Sequence, residues 1–433
     1  MKSAIVVGAG IAGLVSAYRL SKAGYAVTIF EGAREPGGMV AHVDLAGVSV
    51  DSGAEAFAVR GGHARALCDE LGVAVAAPLG EPRLWWSEGQ FPVGRGVLGI
   101  PIALDDPALA SAGEEGRRAV EAEPGLDPAI GAHAKTVGEL VRARLGDHVL
   151  VRCVEPVLRG IFGVHADRIG IEAVAPGLTA EFAASGSLLA AAATLRGRAG
   201  AVVEQPVGGM HRLVEALVAA VQAGGGRIVT GTAVTGLHRS KEGISVEGRA
   251  GQLALTERLV LAVPASVAVA LLSHLGAELE APPVRHTRQV LLAARSDALA
   301  AEPVGSGVLV AGAHGELRAK ALSHYSSRWP WARSTGLEIL RLSYPDYVFP
   351  TRAEVLHDVA LLTGVQLPDS AVPALVSVSW DQLPTPVEPA HRNLLVSAAA
   401  EAGVDIVGAW LDGNGVDAVT AGTRRVLAER HEA

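Results

Sequence analysis

Residues Gly8-Ala9-Gly10-Ile11-Ala12-Gly13 have the G-x-G-x-x-G spacing. They follow the apolar run Ala4 to Val7 and open an apolar-periodic segment, Ile11 to Ala23. That context predicts strand, glycine turn and helix, the setting in which the spacing has chemical meaning. The first glycine permits a tight turn, the second lets the backbone approach a pyrophosphate, and the third permits close helix–strand packing. The helix N-terminus then offers unpaired N–H groups and a positive dipole end to phosphate oxygens. A second strand, Ala26 to Phe30, ends at Glu31. A carboxylate at that distance bonds a ribose hydroxyl. Glycines, strands, helix and acid together point to dinucleotide binding.

The next residues narrow the dinucleotide. Glu31 is followed by Gly32-Ala33-Arg34-Glu35-Pro36-Gly37-Gly38-Met39. This extension resembles that of FAD enzymes of the glutathione reductase-like superfamily, where the acid and double glycine continue the site. Asp51-Ser52-Gly53-Ala54-Glu55-Ala56 resembles the next flavin-side element of that group. No second G-x-G-x-x-G exists for a separate nicotinamide nucleotide. The pattern suggests an oxidase or a desaturase, with FAD as cofactor and no metal.

The elements that must position these residues fill 433 residues, too many for one simple core. Hydrophobic residues make up 49% and charged residues 19%, a globular composition. A net charge of -8 argues against nucleic acid as a partner. Cys68 and Cys153 form neither a CxxC nor a zinc spacing and read as buried thiols. The N-terminal apolar run is broken by glycines and reads as a strand, not a signal peptide. The longest later apolar stretch, Leu259 to Leu272, contains Pro264 and is shorter than the ~20 residues a spanning helix needs. The expectation is a cytoplasmic protein without stable membrane insertion, peripheral contact being left open. A helical pattern runs from about 105 to 200 and is clearest from Thr136 to Phe162, after a polar connection marked by Gly113, Gly116 and Pro124.

Further along, the chain resembles the protoporphyrinogen/coproporphyrinogen oxidases of haem synthesis, within the flavin amine oxidase-like group. Thr136 to Gly146 is similar to their helical segment, and Glu155-Pro156-Val157-Leu158-Arg159-Gly160-Ile161-Phe162 to their E-P-x-x-x-G-[IV]-[YF] stretch. Gly208-Gly209-Met210, Leu261-Ala262-Val263-Pro264-Ala265 and Ser326-Ser327-Arg328-Trp329-Pro330 also resemble family elements. Trp380, Gly408 and Gly413-Asn414-Gly415-Val416-Asp417 resemble the C-terminal flavin element. After Trp380 the chain departs from the family's P-x-Y…G-H pattern: Pro384-Thr385-Pro386 lacks the tyrosine, and Ala390 precedes His391.

The resemblance implies a Gram-positive-type coproporphyrinogen III oxidase. Such an enzyme removes six electrons and six hydrogens from a porphyrinogen and passes them to dioxygen as hydrogen peroxide. It implies Val234 against the adenine end of FAD, and Leu411 and Val416 beside the isoalloxazine. Substrate propionates need cations or donors. Arg95, in Phe91-Pro92-Val93-Gly94-Arg95-Gly96, is the first candidate and Arg341 the second. No general base is evident, nor any Ser/His/Asp or Cys/His arrangement that the chemistry would need. His42, His165 and His314 read as structural or surface residues. Alternatives are a protoporphyrinogen IX oxidase, another amine oxidase-like oxidase or desaturase, and a non-catalytic flavin-binding protein. Transient contact with other haem-pathway enzymes is compatible with the resemblance.

The expected fold class is α/β plus α+β. A Rossmann-like FAD-binding domain would come from 1–65, 205–265 and 380–433. A β-rich substrate domain would come from 66–100 and 266–379, and a helical domain from 101–204.

Overall fold

The computed structural model describes residues 2–198, 203–312, 315–333, 335–384 and 387–429. The chain divides into two compact units: Met1–Ala77, Val202–Thr287 and Val378–Ala433 form one, and Pro78–Ala201 with Arg288–Ser377 the other. His314, Thr385 and Pro386 lie outside the described residues.

The first unit is built on a five-stranded sheet in the order Arg227–Val229, Ala26–Phe30, Ser3–Val7, Arg258–Leu261, Val404–Ile406. Every pairing is parallel. A parallel sheet covered on both faces needs apolar residues at successive positions. Ser3–Val7 supplies them: Ala4 and Val6 pack with the helices Ile11–Lys22 and His211–Ala223, while Ile5 and Val7 pack on the opposite face with Leu237, Val246 and Leu271. Ser3–Val7 lies in the middle of the sheet although it comes first in the chain. The chain therefore winds outward on both sides of it, the arrangement that opens a ligand crevice beyond the strand ends.

A seven-stranded sheet in the order Ala374–Pro384, Val284–Ala294, Glu338–Tyr344, Ala321–His324, Gly307–Val310, Pro82–Trp86, Gly89–Pro92 falls mainly in the second unit. One face buries Val290, Leu292, Leu322, Leu340, Leu342 and Tyr344 against helix Arg352–Thr363. That helix starts at a capping box, Thr351 with Glu354, and ends at Gly364 in the left-handed region (φ 72°).

The same unit contains a helical cluster whose centre is an ion pair. Arg144 and Glu123 are both fully buried and bonded at 2.6 Å. Arg144 also donates to the carbonyls of Asp127 and Gly186, and Glu123 accepts from Ser187 Oγ and Leu188 N. Burying two charges is tolerable only when the remaining donors and lone pairs are also met, as here.

One sequence expectation changes. The stretch with Gly113 and Gly116 is not a connection but lies within helix Leu109–Ala122, where Leu109, Ala112, Gly116 and Val120 are buried at helical spacing. Gly113 (φ 65°) breaks the helical dihedrals inside it. The pattern from Thr136 to Phe162 comprises Val137–Val149, broken at Gly146 (φ 72°), a π-helical turn Leu150–Val154 and Glu155–Phe162. Pro156 lacks the N–H a continuous α-helix would need, and the wider turn accommodates it. Among the described residues, no helix is long and apolar enough to cross a membrane.

Candidate functional site: a dinucleotide cradle

The glycine turn sits at the carboxyl end of the central strand. Gly8 N donates to Phe30 O (2.8 Å), and Gly8 adopts φ 99°. A side chain at Gly8 would also overlap the Ala262 carbonyl, so the turn Leu261–Ala265 forms the floor of the cradle. A Cβ at Gly13 would overlap the Gly8 carbonyl and lie 3.2 Å from the Ala262 methyl. Gly13 is what lets the helix approach the strand this closely.

Gly10 meets a different demand. The nearest atom to a Cβ built there is Gly38 Cα, 4.0 Å away. Gly37 N donates to Ala9 O (2.8 Å), and Gly10 and Gly37 form a parallel bridge. Two glycine-rich turns thus lie side by side with backbone as their shared surface. Leu14 N donates to Gly10 O (2.9 Å), the first i→i−4 bond of the helix. The N–H groups ahead of it, at Ile11, Ala12 and Gly13, have no helical acceptor.

Glu31 is half-buried. Its Oε2 accepts from Ala9 N (2.6 Å) and its Oε1 from Ala33 N (2.7 Å). Two bonds fix the carboxylate plane and leave lone pairs for a ligand hydroxyl. Glu31 O accepts from Thr232 N (2.7 Å), and Gly32 approaches Ala233, so the loop leading to the buried Val234 runs beside 31–33.

The next site residues assemble around Met39. Ala54 N donates to Met39 O (2.9 Å), and a Cβ at Gly53 would overlap that carbonyl and lie 3.1 Å from the Trp380 ring. Trp380 Nε1 donates to Ser52 O (2.9 Å). Gly53, Ala54, Glu55 and Ala56 are all half-buried. Residues 39, 53 and 380, remote in sequence, therefore meet in space.

At the C-terminus Leu411 and Val416 are buried, while Gly413 and Gly415 between them are exposed. Gly413 takes φ 108°. Trp410 Nε1 donates to Val263 O (3.0 Å), which brings this element to the floor turn. Asn414 Nδ2 donates to Pro384 O (2.9 Å), and Arg392 donates to Leu411 O (2.8 Å) and Asp412 (3.3 Å). His391, in the stretch that departs from the family pattern, bonds Glu280 O (3.0 Å).

Sequence reasoning missed the buried core behind this wall. Asp51 is fully buried and accepts from Met210 N (2.8 Å), His211 N (3.3 Å) and Gln205 Nε2 (3.1 Å). Its negative charge lies at the start of helix His211–Ala223, where the helix dipole favours it. His211 Nδ1 lies 3.3 Å from Asp51 and its Nε2 3.4 Å from Ser49 Oγ. Ser49, His211 and Asp51 therefore form a row, because folding brings residues 162 positions apart together. Its bonds are long and its carboxylate is committed to backbone N–H groups, which suits structure more than nucleophilic chemistry. The sequence signal was the D-x-G of Asp51-Ser52-Gly53 alone.

The two arginine candidates lie in the second unit, each with partners of its own. Arg95 is half-exposed and pairs with Asp105 at 2.6 Å. Its backbone N donates to Asp106, a buried carboxylate that also accepts from Ile102 N and Ala108 N. Arg341 is buried in strand Glu338–Tyr344, donates to Gln289 (2.8 Å) and lies 5.9 Å from the Tyr325 ring centroid. The Ser326–Pro330 motif is anchored rather than open. Ser326 Oγ donates to Glu338 (2.6 Å), Trp329 is fully buried, and the bond from His324 holds the Glu338 carboxyl below its ordinary range.

Both cysteines are free and buried. Burial pushes the Cys68 thiol up to about 12 and the Cys153 thiol up to about 11, so neither offers a thiolate near neutrality.

With this geometry in place, comparison with known proteins is informative. The model of the family described as flavin containing amine oxidoreductase matches residues 11–293, well over half of the chain. A coproporphyrinogen III oxidase of Mycobacterium leprae is 29% identical over 98% of this chain and 97% of its own. One from Staphylococcus aureus is 28% identical over 43% of this chain and 42% of its own. Among solved structures, an Exiguobacterium sp. 255-15 protein with the provisional name protoporphyrinogen oxidase superposes with a TM-score of 0.85. It is 20% identical and covers 100% of this chain and 99% of that one. A dinucleotide cradle in a flavin family means FAD, and the side-chain-free backbone of Gly10 at the start of helix Ile11–Lys22 suits its pyrophosphate. The chain belongs to the flavin containing amine oxidoreductases and is an oxidoreductase enzyme with FAD as its cofactor.

Proposed function

We propose that this enzyme is a porphyrinogen oxidase acting on coproporphyrinogen III in haem synthesis. The observation that carries the reading is similarity over nearly the whole chain to relatives named coproporphyrinogen III oxidase, 29% identical across both units. When bound, FAD supplies the acceptor for hydride equivalents from the porphyrinogen, two electrons at a time. Three such oxidations remove six electrons and six hydrogens, which three molecules of dioxygen take up as three of hydrogen peroxide.

The chain's own contribution is binding and orientation. Ile11, Ala12 and Gly13 direct backbone N–H groups at the pyrophosphate, and Gly8, Ala9, Gly10, Gly38 and Met39 shape the groove beside it. Glu31 and Gly32 receive the ribose, and Val234 flanks the adenine. Gly53, Ala54, Glu55, Ala56, Trp380, Leu411, Gly413, Gly415 and Val416 form the flavin end. In the second unit, Arg95 and Arg341 are the residues assigned to substrate carboxylates. Arg95 suits exchange: its exposed bond to Asp105 contributes little, so a propionate can replace it. No side chain is assigned as general base, and rate enhancement is attributed to orientation and exclusion of water.

A second reading, protoporphyrinogen IX as substrate, is favoured by the provisional name of the Exiguobacterium structure. The test is to supply the purified flavoprotein with each porphyrinogen in parallel under air. The expected result is porphyrin fluorescence from coproporphyrinogen III rising well above the autoxidation blank, with stoichiometric peroxide. Neither substrate exceeding its blank would overturn the proposal, and faster oxidation of protoporphyrinogen IX would transfer it to the second reading.

A further inference from the structure

The flavin-end segment Gly53–Ala56 is not part of a regular strand or helix, so something else must hold it. Downstream, strand Val203–Pro206 pairs with Phe57–Ala58, Phe57 lying opposite Glu204. The next residue, Gln205, is fully buried and turns its amide toward the segment's start. Its Nε2 donates to Asp51 Oδ2 (3.1 Å) and to Glu55 O (2.7 Å). A primary amide has two N–H groups in one plane, and these reach both ends of a five-residue span. Asp51 is meanwhile fixed by the backbone of Met210 and His211. The result is a buried brace from helix His211–Ala223, through Asp51 and Gln205, to the carbonyl of Glu55. Between the braced ends lie Ser52, whose carbonyl holds Trp380, and Gly53, against Met39.

We propose that Gln205 is a positioning residue for FAD: by joining buried Asp51 to the Glu55 carbonyl, it holds Gly53–Ala56 in the conformation that receives the flavin end. The proposal rests on the placement of Gly53–Ala56 at that end. The physical reason is preorganisation. An irregular segment that is ordered before binding does not lose that conformational entropy when the cofactor arrives. Methionine at 205 has nearly the same volume and no N–H, so Gln205→Met removes both bonds and leaves the Asp51 contacts to Met210 and His211 intact.

The test measures FAD binding by full-length apoprotein, with the melting temperature of the same apoprotein alongside. Gln205→Met is expected to weaken FAD binding about tenfold, the order expected for losing two buried hydrogen bonds from a preorganised site. It is also expected to shift the visible absorbance bands of the bound flavin. A lowered melting temperature with FAD affinity within twofold of wild type and an unchanged spectrum would overturn the proposal and leave Gln205 as a fold residue. Gln205→Glu provides a second variant. A carboxylate buried beside Asp51 is driven toward its protonated form, which regains one donor. FAD affinity of this variant should therefore recover as pH falls, relative to wild type at each pH, and no recovery counts against the brace. Hydrogen exchange of the wild type tests the placement separately. If FAD leaves amides 52–56 unprotected, the placement fails. If it protects them and Gln205→Met still binds normally, only the role of Gln205 fails.

Discussion

The dinucleotide cradle and the Arg95 loop are both irregular backbone, yet they are held in different ways. In the cradle, glycines at 8, 10, 13, 37 and 38 let backbone pack directly on backbone, and the bonds that fix it run mainly between main-chain atoms. Around Arg95, one buried carboxylate, Asp106, gathers the N–H groups of Arg95, Ile102 and Ala108. At Gly8, Gly13 and Gly37 the cradle has no room for an added Cβ, which would overlap a carbonyl. The Arg95 loop is as tight at Gly96 and Gly99, where a Cβ would overlap the Ile100 and Cys153 carbonyls, but it depends in addition on one carboxylate. That contrast orders the effects of substitution.

The largest effect belongs to Gly13→Val. Its side chain would overlap the Gly8 carbonyl and crowd Ala262, so the strand and helix cannot keep their spacing. Protein purified from this variant should carry no flavin absorbance. Retention of FAD near stoichiometry would show that the cradle relaxes more than its contacts imply.

Next comes Arg144→Met, which tests whether the second unit has any point as intolerant as the cradle. It strands the Glu123 carboxylate without its cation, a loss of about 3–5 kcal/mol for a buried pair. Thermal unfolding should show it as a large fall in Tm, with FAD binding affected only through global stability.

Asp106→Asn should be milder. It keeps an acceptor but replaces one carboxylate oxygen with a donor facing N–H groups, a cost of about 1–3 kcal/mol. Limited proteolysis should find the 94–106 loop cut faster in this variant. Arg95→Ala removes only an exposed cation. It should leave Tm within a degree or two and raise KM for the tetracarboxylate about fivefold, with little change in kcat. An unchanged KM would remove Arg95 from the substrate site.

The smallest effect is a pH response that differs between units. In the first, Glu70 bonds Arg19, Lys22 and Tyr18. The Arg19 guanidinium, aided by Lys22 and Tyr18, holds its carboxyl down at about 2 against an ordinary 4.5. Its folded value is depressed, so its contribution is complete above 4.5 and disappears as pH falls toward 2. In the second, burial pushes the Asp358 carboxyl up, with the opposite sign: it favours folding as pH falls through the range just above ordinary carboxylates. Glu70→Gln should therefore flatten the acid side of the Tm profile, and added salt should do the same in wild type because Glu70 is partly exposed. An acid limb unchanged in Glu70→Gln would remove this group from the response.

How much of this was legible in the residues follows from the same contrast. Gly8, Gly10, Gly13 and Glu31 were readable because a backbone demand admits few residue types, and glycine is the commonest answer. Gln205 and Asp106 were not readable, because nothing in their neighbours announces a partner that folding supplies. The Gly113 stretch was misread because glycine and charge mark loops locally, while its buried Leu109, Ala112 and Val120 made it a helix. The Thr136 to Phe162 pattern was right about helix, and the π turn within it left no mark in the periodicity.

The sequence by itself determined the dinucleotide cradle: strand, glycine turn, helix and acid lie within about 30 residues, a span in which local sterics set the geometry. Only the tertiary structure decided what surrounds it. Trp380 reaches Ser52, Gln205 braces Asp51 to Glu55, and Trp410 reaches Val263 because a parallel sheet draws its strands from three separate stretches of chain. Contacts across such distances form only when burial of the shared core repays the entropy of closing the loops between them. No local spacing in the sequence records that balance.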